Sequence, residues 1–225
     1  MIDRSLTRRT LARQAAYAAA SMTLLGASPV LAQAPGKAGT KVLRYVFPVA
    51  ETGFDPARIV DLYSRIVTAH IFESLYTYDH LARPVKIRPA LAQGMPEHSE
   101  DYRTWTVKVR PGILFQDDPA FGGQPREVTA QDFVYALKRF ADPANKSPVV
   151  AGVLEQKYIG LAALREKALK EKKPFDYDTE IEGIRALDRH TIQFRLEEPR
   201  PRFWRLPGGA RSLRRGGARG GGEVR

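Results

Sequence analysis

The clearest pattern of apolar and polar positions lies in residues 102–140. At its start, Trp105, Val107 and Val109 alternate with polar residues, which is the period of a half-buried β-strand. The Arg110-Pro111-Gly112 sequence then predicts a tight turn, because proline presets φ at the second position and glycine takes the positive φ that a type II turn needs at the third. The pattern therefore predicts a strand that ends in a turn.

The same segment continues into a second strand and a helix. Residues Ile113–Phe115 predict a return strand, and Thr129–Asp132 has the form of a capping box at a helix start. The helix ends before Asp142-Pro143, since the residue before a proline disfavours the helical conformation. Three large apolar residues recur at helical spacing and predict the buried face: Phe133, Leu137 and Phe140.

The flanking segments predict further elements. Residues 42–49 alternate with both faces largely apolar, which favours a strand in a covered sheet. A helix is expected from Asp61 to Tyr76, with Leu62, Ile66 and Ala69 on its apolar face. After Pro143 the patterns predict a helix and two strands, at residues 153–170, 181–187 and 191–196.

The net charge of +11 resembles that of a nucleic-acid-binding protein until it is divided along the chain. Residues 1–39 hold five basic residues and one acid, and residues 200–225 hold eight arginines and one acid. Basic and acidic residues balance in residues 40–199, so the middle has no electrostatic basis for binding phosphate backbones. The arginine- and glycine-rich end resembles an RNA-binding segment, but no aromatic residue is interleaved to stack on bases. We expect no nucleic-acid partner.

The N-terminus has the organisation of an export signal. A basic segment with Arg4, Arg8 and Arg9 precedes an alanine-rich apolar run, and small residues precede a cleavage site after Ala32. Residues 7–13 resemble the twin-arginine export motif. An ordinary Sec signal or an N-terminal amphipathic anchor are the alternatives. We expect residues 1–32 to direct the chain to the periplasm and residues 33–40 to be a linker.

No catalytic or metal-binding constellation stands out. The absence of cysteine excludes a disulfide scaffold, a thiolate metal site and a cysteine nucleophile. The four histidines are scattered without metal-ligand spacing. Adjacent Asp117 and Asp118 are interpreted as loop acids, because neighbouring residues at a strand end point apart. The sequence predicts neither an enzyme, nor a metal site, nor a bound cofactor.

Five segments carry a resemblance to a known family. In this order they resemble the family 5 extracellular solute-binding proteins of ABC transporters, of the dipeptide- and oligopeptide-binding type: residues 71–79, 87–92, 102–117, 128–139 and 184–196. The family usually has glycine at the position of Asp118 and a shorter loop than residues 119–127. The resemblance extends over residues 41–203.

The resemblance implies an α/β fold, a periplasmic-binding-protein type II lobe made of a mixed sheet with flanking helices. Family members are usually more than twice as long and fold as two lobes around a cleft, so the second lobe is expected to be missing. We expect residues 41–203 to be the N-terminal part of the solute-binding domain. Residues 204–225 are expected to be a disordered tail that a frameshift produced, which translation of the downstream DNA in other frames would test.

The resemblance implies a monomeric periplasmic component that captures peptides or similar solutes for a membrane permease, with its capture impaired by truncation. The alternative is an exported interaction module that uses its basic tail and takes no part in transport. For solute contact we select the loop after the first strand, because ligands of open α/β sheets lie beyond the strand ends. Glu51 would pair with a peptide α-amino group, Thr52 would donate a hydrogen bond and Phe54 would form an apolar wall. The competing interpretation is a simple turn capped by Asp55.

Overall fold

Two antiparallel sheets with flanking helices make up the part of the chain that the computed structural model describes, residues 44–203. The predicted export signal, the linker and the tail lie outside the described residues. The chain divides into residues 1–46 and 47–225, and the elements below belong to the second unit. In chain order they are α1 Leu62–Ile71, β1 Tyr76–Asp79, β2 Lys86–Pro89, β3 Glu97–His98, β4 Thr104–Lys108, α2 Ala130–Ala141, α3 Val150–Leu154, α4 Leu161–Glu171, β5 Ile184–Ala186 and β6 Thr191–Arg195.

The larger sheet has the strand order β3-β4-β6-β5. Its central pair joins the predicted strand at Trp105 to the predicted strand at Phe194, with these two residues directly opposite each other. Val107 lies opposite Ile192 in the same register. All four side chains are buried, because alternate residues of both strands point to the same covered face. The alternation of the two strands in the sequence is therefore confirmed.

Helix α2 covers this face of the sheet. The capping box is confirmed at its start, where the backbone N–H of Thr129 donates to Asp132 Oδ2 at 2.8 Å. Phe133 and Leu137 are buried as predicted, and the helix ends at Ala141, before the proline. The core continues as an aromatic cluster that unites distant segments, formed by Trp105, Tyr158, Phe194 and Phe203. These side chains are the main reason that the second half of the described chain packs on β4.

Two predicted strands are wrong. Residues 44–49 form no strand, and Val49 is exposed, so the apolar alternation there has no neighbouring strand to pair with. Residues 113–115 contribute one isolated bridge, Leu114 to Glu127, instead of a continuous strand. Gly112 does have the predicted positive φ of 77°. The turn is correct, but the chain beyond it runs along the sheet edge without forming a ladder.

The first helix is shorter than predicted, and its exposed face differs from the prediction. Helix α1 ends at Ile71, and Tyr76 belongs to β1. The buried residues are Ser64 and Thr68, whereas Leu62 is 64% exposed. The side of the helix that faces the loop at Thr52 is the polar one, since the backbone N–H of Thr52 donates to Ser64 Oγ at 2.9 Å. Leu62 and Ala69 of the predicted buried side are exposed, and Ile66 is half-buried.

The predicted helix at residues 153–170 is two helices. Helices α3 and α4 are separated by a break in which Lys157 and Gly160 take positive φ values of 57° and 84°. A helix cannot continue through this conformation. The predicted strand at residues 181–187 is confirmed only over β5, residues 184–186. The smaller sheet pairs β1 with β2 in antiparallel register.

Candidate functional site

The loop predicted to contact solute, residues 51–55, leads toward helix α1. The side chains of Glu51 and Thr52 are exposed, and Phe54 is 49% exposed. The selection of this loop depends on its lying beyond the end of a strand. Residues 44–49 form no strand, so the loop does not follow a strand end in the described residues. What the structure brings together is the loop and the start of the helix.

Thr52 binds the N-terminus of helix α1. Its backbone N–H donates to Ser64 Oγ at 2.9 Å, and its hydroxyl donates to Asp61 Oδ2 at 2.5 Å. The other oxygen of Asp61 accepts the backbone N–H of Ser64 at 2.8 Å and so caps the helix. The hydrogen bond from Thr52, followed by those from Ser64, lowers the pKa of the Asp61 carboxyl to about 2. The anionic cap is thus stable over the whole neutral range.

Asp55 holds the other end of the loop. Its Oδ1 accepts the backbone N–H of Ala57 at 3.0 Å, while its carbonyl accepts that of Arg58 at 2.9 Å. These contacts are the capped turn of the competing interpretation. Its Oδ2 also lies 2.6 Å from Arg139 Nη2 of helix α2, and both side chains are about three-quarters buried. An ion pair between residues this far apart in sequence has no signature in spacing, so sequence reasoning missed Arg139.

Phe54 lies between these two anchors and Glu51 directly precedes the first, and both side chains are exposed. A backbone held at Thr52 and Asp55 gives Phe54 less conformational freedom than an unsupported loop would, whereas Glu51 is held from one side only. A carboxylate beside an aromatic ring can bind an ammonium group by charge and cover an adjoining apolar group. The loop exposes a carboxylate and an aromatic ring, the two groups that such recognition requires, on a backbone held by Thr52 and Asp55.

A second group of charged side chains surrounds Glu127, which precedes helix α2 in the chain. Its Oε1 accepts the backbone N–H of Gly112 at 2.7 Å, and its Oε2 accepts two hydrogen bonds from Arg189, at 2.7 and 2.8 Å. His190 Nε2 lies 3.1 Å from Oε1. The Gly112 and Arg189 hydrogen bonds, in that order, lower the pKa of Glu127 to about 2. With its oxygens occupied, Glu127 joins the predicted turn to the β5–β6 connection and is structural.

One cavity of the described residues is too open and too small to enclose a peptide. This shallow cavity of about 240 Å³ lies between the β2–β3 connection and strand β4, and the Lys108–Glu97 ion pair of 3.1 Å crosses it. Pockets for small ligands usually enclose about 300–1,000 Å³. No group of three metal-ligating side chains occurs within residues 44–203, and no helix in that range has the length and apolar character to cross a bilayer.

The family model of the bacterial extracellular solute-binding proteins, family 5, matches residues 86–212 of this chain. The matched range includes β4, the turn at Gly112, helix α2 and strands β5 and β6. The chain belongs to this family. The predicted resemblance is confirmed, and so is the α/β lobe that it implies. The family consists of binding proteins rather than enzymes.

Individual relatives agree with the family. The periplasmic oligopeptide-binding protein OppA of Salmonella typhimurium is 30% identical over 201 residues, which are 87% of this chain and 33% of OppA. The structure of Haemophilus influenzae OppA in complex with the peptide RPPGFSPFR aligns with a TM-score of 0.52 and 27% identity, over 66% of this chain and 25% of that one. OppA of Burkholderia pseudomallei aligns with a TM-score of 0.52 and 28% identity, over 73% and 28%. This chain spans a third or less of the length of these family members.

Proposed function

We propose that this chain is part of the periplasmic solute-binding component of an ABC importer, which captures peptides or similar solutes and delivers them to permease subunits. The observation that carries the proposal is the family match over the sheet and helix α2, together with relatives named for binding oligopeptides. No covalent step is involved. Capture in such a system depends on differential contacts between an open and a closed arrangement of two lobes.

The contact that this chain contributes is the loop at residues 51–55. The carboxylate of Glu51 pairs with the α-amino group of the peptide, and the ring of Phe54 covers the first side chain. Thr52 keeps the loop on helix α1 by donating its hydroxyl hydrogen to Asp61, so that hydrogen is not available for the donation to solute expected from the sequence. Its hydroxyl oxygen can still accept a hydrogen bond from the solute. Arg139 supports the same loop through Asp55.

The distribution of exposed apolar residues supports a binding lobe over a self-contained interaction module. Eight large apolar residues are exposed within residues 47–85, among them Phe54, Val60, Leu62 and Ile71, against five within residues 86–203. Exposed apolar residues concentrated in one segment favour a lobe that packs against further protein, whereas a module complete in itself would be polar all round. One lobe cannot close on a solute, so we expect weak capture by this chain alone.

Nuclear magnetic resonance titration of the isotope-labelled chain with tri-alanine tests the contact residues. We expect weak binding whose shift changes concentrate in residues 51–58. N-acetylated tri-alanine, which lacks the α-amino charge, should cause none of these changes. Glu51→Gln should weaken the response, while Glu100→Gln, an exposed glutamate in another turn, should leave it unchanged. Equal responses to both peptides would refute the role of Glu51.

Calorimetry and the neighbouring genes test the wider proposal. Tight binding of a peptide mixture by this chain alone would refute the expected impairment. Genes for permease subunits and an ATPase are expected beside this one. Neighbours unrelated to transport would argue against the importer and for the exported module.

A further inference from the structure

The hairpin formed by β1 and β2 projects from the lobe with its base anchored and its tip unsupported. At the base, Tyr76 is 1% exposed, and its hydroxyl donates to the carbonyl of Gly94 at 3.2 Å. The backbone N–H of Ala92 donates to the carbonyl of Leu75 at 3.1 Å. The register runs from Tyr76–Pro89 at the base to Asp79–Lys86 below the tip. The two strands form a sheet of their own and add no strand to the larger one.

The tip carries apolar side chains and cations. Leu81 is 92% exposed and Val85 is 70% exposed, the former being the highest value among the exposed large apolar residues of the described chain. Arg83, Lys86 and Arg88 are exposed around them. Asp79 accepts the backbone N–H of Leu81 at 3.0 Å and Arg83 donates to the carbonyls of His80 and Ala82, so three cations stand against one acid here. The tip is therefore a cationic surface with two apolar side chains at its end.

We propose that the tip of this hairpin, residues 80–88, contacts the surface of an anionic phospholipid bilayer. Apolar side chains flanked by lysine and arginine partition into the boundary between headgroups and acyl chains, while the cations bind the lipid phosphates. The inference goes beyond the proposed function, and it does not require a solute to be bound. It would keep the lobe close to the membrane in which a permease lies.

The size of the tip favours a lipid surface over a protein. A standard protein interface takes about 20–30 residues from each partner. The hairpin tip offers fewer than half that number. The shallow cavity described above lies near β3 and β4, so it offers a partner protein no pocket at residues 80–88. A bilayer requires no complementary shape, so two apolar side chains and three cations are sufficient for weak, reversible contact.

The absence of cysteine in this chain permits a direct test with one fluorophore. Leu81→Cys, labelled with an environment-sensitive dye, should give a blue-shifted, stronger emission with vesicles of equal phosphatidylglycerol and phosphatidylcholine. Leu169→Cys on helix α4, which is 52% exposed in the native chain, is the matched control and should not respond. Pure phosphatidylcholine vesicles and high salt should abolish the shift at residue 81. An equal shift at both sites would overturn the proposal, because adsorption would then come from elsewhere in this basic chain.

Charge variants provide the second measurement. Each cation near an anionic membrane contributes about 1 kcal/mol, or roughly fivefold in partitioning. Lys86→Gln with Arg88→Gln should therefore lower the vesicle partition coefficient about 25-fold. Lys167→Gln with Lys170→Gln on helix α4 removes the same total charge and should have little effect. Equal losses in the two double variants would refute a local contact. A label at residue 81 that responds to neither kind of vesicle would also refute it, and would favour an acidic protein as the partner.

Discussion

Gly183 lies where two backbone segments pass too closely for any side chain. Its N–H donates to the carbonyl of Ile159 at 2.8 Å, and its own carbonyl accepts the N–H of Arg195 at 3.0 Å. A Cβ atom at this position would be 2.4 Å from the nitrogen of Ile159 and 2.7 Å from the carbonyl carbon of Tyr158. We therefore predict that Gly183→Ala forces the Tyr158–Ile159 segment away from strands β5 and β6.

The magnitude follows from two costs. Overpacking a well-packed region costs about 1–3 kcal/mol, and here the obstructing atoms belong to backbone, which cannot rotate aside. The displacement also breaks two hydrogen bonds of Ile159, which accepts the N–H of Gly183 and donates its own N–H to the carbonyl of Arg195, each with a net value of about 0.5–1.5 kcal/mol. The expected loss is therefore about 2–6 kcal/mol in the free energy of unfolding, out of a typical total of about 5–15 kcal/mol.

Urea unfolding followed by tryptophan fluorescence measures this loss, since Trp105 is buried in the adjoining core. Gly152→Ala is the matched control, because its Cβ would meet no atom within 4 Å and the residue lies within helix α3. The control should gain about 0.4–1 kcal/mol from the less flexible unfolded chain. If the free energy of unfolding of Gly183→Ala lies within about 1 kcal/mol of that of the native chain, the substitution acts like an ordinary surface change. The close approach of the two backbone segments would then be wrong.

Two further predictions concern the ion pairs. Hydrogen bonds from Gly112 and Arg189 lower the folded pKa of Glu127 from 4.5 to about 2. Their contribution to the free energy of unfolding should therefore be lost as the pH falls from 4.5 to about 2. Glu127→Gln should lack that part of the acid dependence. Urea midpoints between pH 7 and pH 2 measure it, and identical pH slopes would contradict it. Arg139→Met leaves Asp55 without its cation and should speed hydrogen exchange at residues 55–58, with Arg139→Lys restoring part of the protection. Unchanged exchange in Arg139→Met would show that the pair does not hold the loop.

The sequence predicted the elements whose formation depends on neighbouring residues. The alternation at Trp105, the glycine turn at Gly112 and the capping box of Thr129 are each defined within a few positions, and each is confirmed. The same reasoning failed at residues 113–115, where the pattern was apolar enough for a strand. A strand also requires a longer partner, and here the pairing is limited to residues 126–128, with Phe115 donating to the carbonyl of Arg126 and Val128 donating to that of Ile113.

Helix α1 demonstrates the limit of apolar periodicity. The spacing of Leu62, Ile66 and Ala69 correctly predicted a helix but wrongly predicted its buried side, because the loop at Thr52 covers the side of Ser64 and donates a hydrogen bond to it. No local signal distinguishes these two outcomes, since the sequence of the helix is compatible with the burial of either side.

The candidate site was predictable only in part. Glu51 and Phe54 could be selected by residue type, and their roles remain predictions. The attachment of Thr52 to Asp61 is also local, because an acid at a helix start is a common cap. The pairing of Asp55 with Arg139 depends on how helix α2 lies against the loop, which only the folded chain defines.

The pairing of β4 with β6 has a consequence for the chain while it is being made. Lys108 pairs with Thr191, so roughly 80 residues must be synthesised after β4 before its partner exists, which takes about 4–16 s at about 5–20 residues per second. During this interval one edge of β4 has unpaired backbone groups, and the aromatic cluster lacks Phe194 and Phe203. Until β6 has been made the lobe cannot fold, and the unpaired edge of β4 is open to pairing with another chain, so this interval is the one in which the chain is most exposed to misassociation.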